Sequence, residues 1–384
     1  MTKKFFLIAA ETSGDIIGSK LIRELKLKNP GAEFTGIGGE LMQKQGLTSI
    51  FAIEELSVMG FAEIVPHIPK LLRLIAQTAA MIRKIRPDFI ITIDAPDFCF
   101  RVMKKLQHFH QAKKIHLVAP SIWAYRAGRA KKIARLYDLL LTILPFEPPY
   151  FTKYGLKTVF IGHPVIEDAP DFSIKKAENL NFRKKHGLSA DNLIICLTPG
   201  SRNSEVAKIF PEFIGAINLL AQEKPDLKVI IPLVKKTSAL VCKMAKTLKV
   251  QYFLIDREEK KQALFACNFA VAKSGTNAIE LSLYQIPLLV AYKVNFLTFF
   301  LLKMMIKVRF ANLINLILNR EIIPEMLQKN CQAQKILHCL KNMIDDESLG
   351  RRQIVESAAA FKLLGLGNFA KPSLKAAEEI LKIS

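Results

Sequence analysis

Two aspartates, Asp94 and Asp97, follow directly on the apolar run Phe89-Ile90-Ile91-Thr92-Ile93, with Ala95-Pro96 between them. A buried strand that ends this way presents carboxylates at its carboxyl end, where open α/β sheets bind ligands, and the proline stiffens the turn. One of the pair can serve as general base toward a hydroxyl. His163, in Ile161-Gly162-His163-Pro164, competes for that part because an imidazole titrates near neutrality. Asp94 and Asp97 can equally be loop and cap residues, with Asp97 opening the helix that follows.

A second turn, Ala10-Glu11-Thr12-Ser13-Gly14-Asp15, joins an apolar run to a helical pattern. Ser13 and Asp15 can cap a helix starting near Ile16, whereas Glu11 is placed to bind sugar hydroxyls. The dinucleotide spacing G-x-G-x-x-G is absent here, and Gly36-Ile37-Gly38-Gly39 reads as a close approach of backbone. In the second half, Leu197-Thr198-Pro199-Gly200-Ser201-Arg202 and Ala272-Lys273-Ser274-Gly275-Thr276 each end a strand and precede a helix. Backbone N–H groups at such turns, with the Arg202 guanidinium, can hold a diphosphate. Glu280, one turn into the helix 277–284, can accept from both ribose hydroxyls; alternatively Ser274 and Thr276 cap that helix and Glu280 closes a capping box.

The elements that must carry these turns are legible as alternation. Strands are expected at Phe5–Ala10, Phe34–Ile37, Phe89–Ile93, Ile115–Val118, Leu139–Leu144 and Thr158–Ile161, with helical patterns between them. A polar interval from Glu167 to Asn192 precedes a second series at Leu193–Leu197, Lys228–Ile231, Gln251–Ile255, Phe269–Ala272 and Pro287–Ala291. Such alternation predicts parallel sheets with helices on both faces. The expected fold is α/β, two Rossmann-like doubly wound domains facing across a cleft. The expected divisions are 1–170, 171–350 and a helical terminal segment 351–384 free to cross back to the first domain.

With 384 residues, half of them hydrophobic, the chain has material for two cores. Its 56 Lys and Arg against 34 Asp and Glu give a net charge of +22, a surface that attracts anions. Nucleic acid ranks last among such partners, because the cations are dispersed and a single Trp is present. The six cysteines show no CxxC pair, which points to reduced thiols without disulfide or metal. The start, Thr2-Lys3-Lys4 before Phe5–Ala10, reads as a first strand rather than a signal peptide. No run reaches the roughly 18 to 20 apolar residues of a spanning helix, but 64–74 and 296–310 suit an interfacial contact.

Taken together, these segments resemble the lipid-A-disaccharide synthase family, inverting glycosyltransferases of the GT-B type. The resemblance extends to Glu54-Glu55-Leu56-Ser57-Val58-Met59-Gly60, to Ala119-Pro120-Ser121-Ile122-Trp123-Ala124-Tyr125-Arg126, to Leu144-Pro145-Phe146-Glu147, and to Asn315 with Arg320-Glu321. It implies UDP-2,3-diacylglucosamine as donor and 2,3-diacylglucosamine 1-phosphate as acceptor, giving a β-1,6-linked disaccharide and UDP, with no cofactor and no metal. It further implies Asp97 as the catalytic carboxylate, Glu11, Ser13 and Asp15 on the acceptor side, and Ser201, Arg202, Ser274, Gly275, Thr276, Glu280 and Asn315 around UDP. Peripheral attachment to the inner face of the bacterial inner membrane follows, and a homodimer is compatible with it. Thr12 and Thr198 depart from the family pattern without removing a charged or donor group. UDP-N-acetylglucosamine epimerases and peptidoglycan N-acetylglucosaminyltransferases share the architecture but not Asp94-Ala95-Pro96-Asp97 or the Trp123 segment. A non-catalytic basic binding module is the alternative of a different class.

Overall fold

Strands apolar on both sides belong in a parallel sheet covered on two faces. The computed structural model describes residues 2–56, 64–123, 128–294, 308–367 and 370–383. The chain divides into two compact units, Met1–Glu167 with Leu364–Ser384, and Asp168–Leu363.

In the first unit, β1 (Lys4–Ala9), β2 (Glu33–Ile37), β3 (Thr48–Ser49), β4 (Phe89–Ile93), β5 (Lys113–Leu117), β6 (Leu139–Thr142) and β7 (Lys157–Phe160) form one sheet. The order is β3-β2-β1-β4-β5-β6-β7, parallel throughout. Phe5, Leu7 and Ala9 of β1 share a core with Leu21, Ile22 and Leu25 on one face. Phe6 and Ile8 share another with Ile75, Ala79 and Ile82 on the opposite face. The helix Pro372–Leu381 also belongs to this unit, placing Ala376, Ala377 and Ile380 in the same core as Leu21. Its first turn is anchored at Ser373, whose N–H and hydroxyl donate to the Glu167 carboxylate at 2.6 and 3.0 Å.

In the second unit, β8 (Ile194–Thr198), β9 (Lys228–Pro232), β10 (Gln251–Ile255), β11 (Phe269–Lys273), β12 (Leu288–Tyr292) and β13 (Glu325–Leu327) take the order β10-β9-β8-β11-β12-β13, again all parallel. The helix Glu347–Leu363 packs here, with Gln353 accepting from the Leu288 N–H and donating to its carbonyl at 2.7 and 2.9 Å. The break before the terminal segment therefore falls after Leu363 and not at 350. Both sheets reverse strand order once, between β1 and β4 and between β8 and β11. Those are the switch points at which doubly wound sheets bind ligands.

Candidate active site

Each of the four motif turns opens a helix at one of the two switch points. The turn after β1 opens Thr12–Lys28, that after β4 opens Pro96–Lys105, that after β8 opens Asn203–Leu220 and that after β11 opens Thr276–Leu283. None of the four helices carries a side-chain cap. The capping parts open to Ser13, Asp15, Asp97, Ser274 and Thr276 are thus not the ones they play. A helix N-terminus without a side-chain cap keeps its partial positive charge for an anion.

At the first switch point the helix begins at Thr12, four residues before the expected Ile16, which puts Ser13 and Asp15 inside it. Glu11 is the exposed, extended residue at its start. Ser13 Oγ donates to Asp94 Oδ2 at 3.0 Å, joining the turn after β1 to the turn after β4. Asp15, which the resemblance places on the acceptor side, is tied to the turn after β2. Its carboxylate is buried and accepts from the N–H groups of Gly39, Leu41 and Met42 at 2.9, 3.1 and 3.0 Å, so it fastens the Gly38-Gly39 turn.

The Asp94-Ala95 pair is left-handed at both residues, with φ of 53° and 44°. Left-handed backbone costs a residue with a Cβ about 1–2 kcal/mol, and such strain collects where a side chain must be aimed. Beyond it, Asp97 lies in the first turn of Pro96–Lys105 with its side chain 78% exposed; its Oδ1 is 3.9 Å from Arg129 Nη1. Asp94 is half-buried and engaged by Ser13. His163 is buried, its Nδ1 accepts the Val165 N–H at 3.2 Å, and desolvation pushes its pKa down to about 4. Its burial sets it apart from Asp94, half-buried, and Asp97, exposed, which are the more accessible to a hydroxyl.

The neighbouring turns hold a carboxyl group, Glu147, that sequence reasoning quotes in a motif but gives no part. Trp123 Nε1 donates to Glu147 Oε1 at 3.1 Å and the Leu144 N–H donates to Oε2 at 3.0 Å. Phe146 meets the Trp123 ring edge-on at 5.2 Å. Burial pushes the Glu147 carboxyl up to about 7, against the opposing pull of these hydrogen bonds. Because the folded value lies above the ordinary 4.5, the stability given by protonated Glu147 is full below 4.5 and disappears as pH rises through 7. The stability difference between Glu147→Gln and the unchanged chain is expected to move toward the variant by on the order of 3 kcal/mol between pH 4.5 and 8. Denaturant melts of both proteins measure it, and a difference independent of pH would contradict the assignment. Ala124, Tyr125 and Arg126, and Ser57–Gly60, lie outside the described residues, as do 296–307 of the proposed interfacial run.

At the second switch point, Gly200 (φ 125°) and Gly275 (φ 152°) shape the two turns. Arg202 is the extended residue at the head of its helix, exposed, with Nη1 3.8 Å from Glu205 Oε1. Ser201 is exposed beside it, and Gly275 and Thr276 are exposed at the other turn. Ser274 Oγ instead donates to the Ala311 carbonyl at 2.8 Å. Glu280 Oε2 pairs with Lys260 Nζ at 2.6 Å and stays partly exposed.

Asn315, which the resemblance places around UDP, is tied into its own segment. Fully buried, it donates to Ile323 O and Glu325 Oε1 at 2.7 and 2.9 Å and accepts from the Ile322 and Ile323 N–H groups at 2.8 and 2.9 Å. An amide side chain has two donors and two lone pairs, and these four bonds engage all of them. Its part is to shape the segment that meets Ser274.

Residues 5–378 match the family described as lipid-A-disaccharide synthetase. The chain belongs to that family. It is 39% identical over 381 residues to the lipid-A-disaccharide synthase of Rhodospirillum centenum, covering 98% of this chain and 94% of the relative. To the Rickettsia akari lipid-A-disaccharide synthase it is 41% identical over 382 residues, covering 99% and 96%. In structure it is similar to the UDP-GlcNAc 2-epimerase of Neisseria meningitidis bound to UDP-GlcNAc, with a TM-score of 0.63, 14% identity and coverage of 100% and 99%. At that identity the likeness shows the fold alone. The fold is of the GT-B type, and the activity is that of a glycosyltransferase, a hexosyltransferase of lipid A biosynthesis. Among the described residues no helix is long and apolar enough to cross a membrane, and no group of His, Cys, Asp and Glu could hold a metal.

Proposed function

We propose that the chain transfers the sugar of UDP-2,3-diacylglucosamine to the hydroxyl of 2,3-diacylglucosamine 1-phosphate, with inversion, giving the β-1,6-linked disaccharide 1-phosphate and UDP. Asp97 takes the acceptor hydroxyl's proton as its oxygen bonds to the anomeric carbon. The electron pair of the breaking C–O bond leaves with UDP. Glu11 and Ser13 orient the acceptor, while Ser201, Arg202, Gly275, Thr276 and Glu280 hold UDP. No cofactor takes part, since the helix N-termini and Arg202 supply the positive charge that the leaving diphosphate requires.

The observation that carries this reading is the exposed Asp97 carboxylate, presented by a strained left-handed turn at the switch point of the first sheet. Membrane attachment is part of the proposal. In the helix Ile64–Ile85, Ile68 and Leu72 are exposed next to Lys70 and Arg73. Apolar residues flanked by cations suit the anionic cytoplasmic face of the inner membrane.

A transfer assay with labelled UDP-2,3-diacylglucosamine and 2,3-diacylglucosamine 1-phosphate is expected to yield disaccharide. Equal rates with unacylated sugars would sink the substrate assignment. Arg202→Ala is expected to weaken UDP binding about ten- to hundredfold, the weight of a charge-assisted hydrogen bond. Calorimetric titration measures this, and unchanged affinity would remove Arg202 from the site.

A further inference from the structure

One cation at the second switch point belongs to none of these parts. Lys273, the last residue of β11, sets its Nζ 3.2 Å from Glu205 Oε1 and 5.2 Å from the centroid of the Tyr292 ring. A Cβ built on Gly275 would stand 3.4 Å from that Nζ, and one built on Gly200 would stand 3.7 Å from the Lys273 Cγ. The stem therefore runs past one glycine turn and the ammonium reaches the other. An ammonium has three donors, and Glu205 accounts for one.

Glu205 is as informative as the lysine. It lies in the first turn of Asn203–Leu220, more than nine-tenths buried. Oε1 faces both Lys273 and Arg202, whereas the buried Oε2 has no hydrogen-bond partner among the described residues. That oxygen lies against the turn itself, since a Cβ on Gly200 would come within 2.9 Å of it. A buried charged oxygen without a partner is costly, and proteins retain one where a site requires it. Two cations thus converge on one carboxylate between two turns that open helices without side-chain caps.

We propose that Lys273 is a diphosphate ligand, donating to a β-phosphate oxygen of the nucleoside diphosphate sugar, and that Glu205 is the positioning residue holding its ammonium between the turns. This rests on the assignment of UDP to the second unit. As the glycosidic C–O bond breaks, its electron pair passes to the β-phosphate oxygen, and a fixed ammonium there stabilises the charge as it forms. Arg202, largely exposed, meets the diphosphate from the solvent side; Lys273 meets it from the sheet.

Titrations of UDP and of uridine into the full chain distinguish this from simple neutralisation of Glu205. Lys273→Met is expected to weaken UDP binding about ten- to hundredfold and to leave uridine binding unchanged, which also reports a folded site. Lys273→Arg should recover most of the loss. The double variant Glu205→Gln with Lys273→Met removes the buried unpaired carboxylate and is expected to bind UDP as weakly as Lys273→Met. If the double variant binds UDP like the unchanged chain, the lysine serves only Glu205 and the inference falls. Unchanged UDP affinity in Lys273→Met would end it as well. If the unchanged chain binds UDP no better than uridine, or UDP protects amides of 2–167 in place of those around 199–202 and 274–277, the donor assignment itself is wrong.

Discussion

Asp97→Asn is expected to bind UDP as the unchanged chain does and to turn over about 10²- to 10⁴-fold more slowly, the usual contribution of a general base. The substitution keeps the size of the side chain and the start of Pro96–Lys105, where Asp97 makes no cap. What it removes is the ability to take a proton. A group acting in the transition state lowers turnover without weakening the ground-state complex. The only ion pair of Asp97 among the described residues, with Arg129 at 3.9 Å, is exposed and worth little to stability. A folding defect therefore should not accompany the loss. Asp94→Asn is expected to do less, because an amide oxygen still accepts from Ser13 and keeps the two turns joined. Steady-state kinetics with a parallel UDP titration checks both. Full activity in Asp97→Asn would move the base to Asp94, and a collapse of UDP affinity along with turnover would mark a structural residue.

Every strand of four or more residues was located from sequence, those buried on both faces most plainly and the partly exposed edge strands β7 and β10 as well. The run Phe5–Ala10 and its counterpart Leu193–Leu197 give continuous apolar signals because both neighbours and both layers are protein. The two strands absent from the expectation, β3 and β13, are the outermost of their sheets on one side, of two and three residues. A short edge strand with part of its surface in solvent has no apolar run to announce it. At the site, residue types and turns were legible because a strand end followed by glycine, hydroxyl and charge is a local pattern. Pairings across sequence were not. Nothing near Asp15 says that its partners are the N–H groups of Gly39, Leu41 and Met42, and nothing near Asn315 says that its amide is satisfied by 322–325. The Lys273–Glu205 pair was within reach, since Lys273 stands inside one quoted motif and Glu205 lies just beyond the other. Only the strand order β8-β11 puts the two turns side by side.

The same strand adjacency makes Gly36→Ala the most damaging single methyl in the first unit. Gly36 stands opposite Leu7 in the β1–β2 pair with φ of 149°, and a Cβ there would overlap the Leu7 carbonyl oxygen. Backbone cannot swing aside as a side chain can, so β2 must leave β1 or the sheet must spread. Either movement carries the Gly38-Gly39 turn off Asp15, stranding a buried carboxylate that now accepts three N–H groups. Strain at a forbidden backbone angle and loss of a buried charged network are the mechanisms behind the largest single-residue effects, above about 4 kcal/mol. That is a large share of the roughly 5–15 kcal/mol that holds a domain folded. The expected outcome is a fall of more than about 10 °C in the unfolding temperature of the first unit, or failure to accumulate as soluble protein. Gly31→Ala is the control, because a Cβ at Gly31 meets nothing within 4 Å. Calorimetry of the two variants beside the unchanged chain decides it: equal unfolding temperatures would show that β1 and β2 do not approach as closely at Leu7 as the register requires.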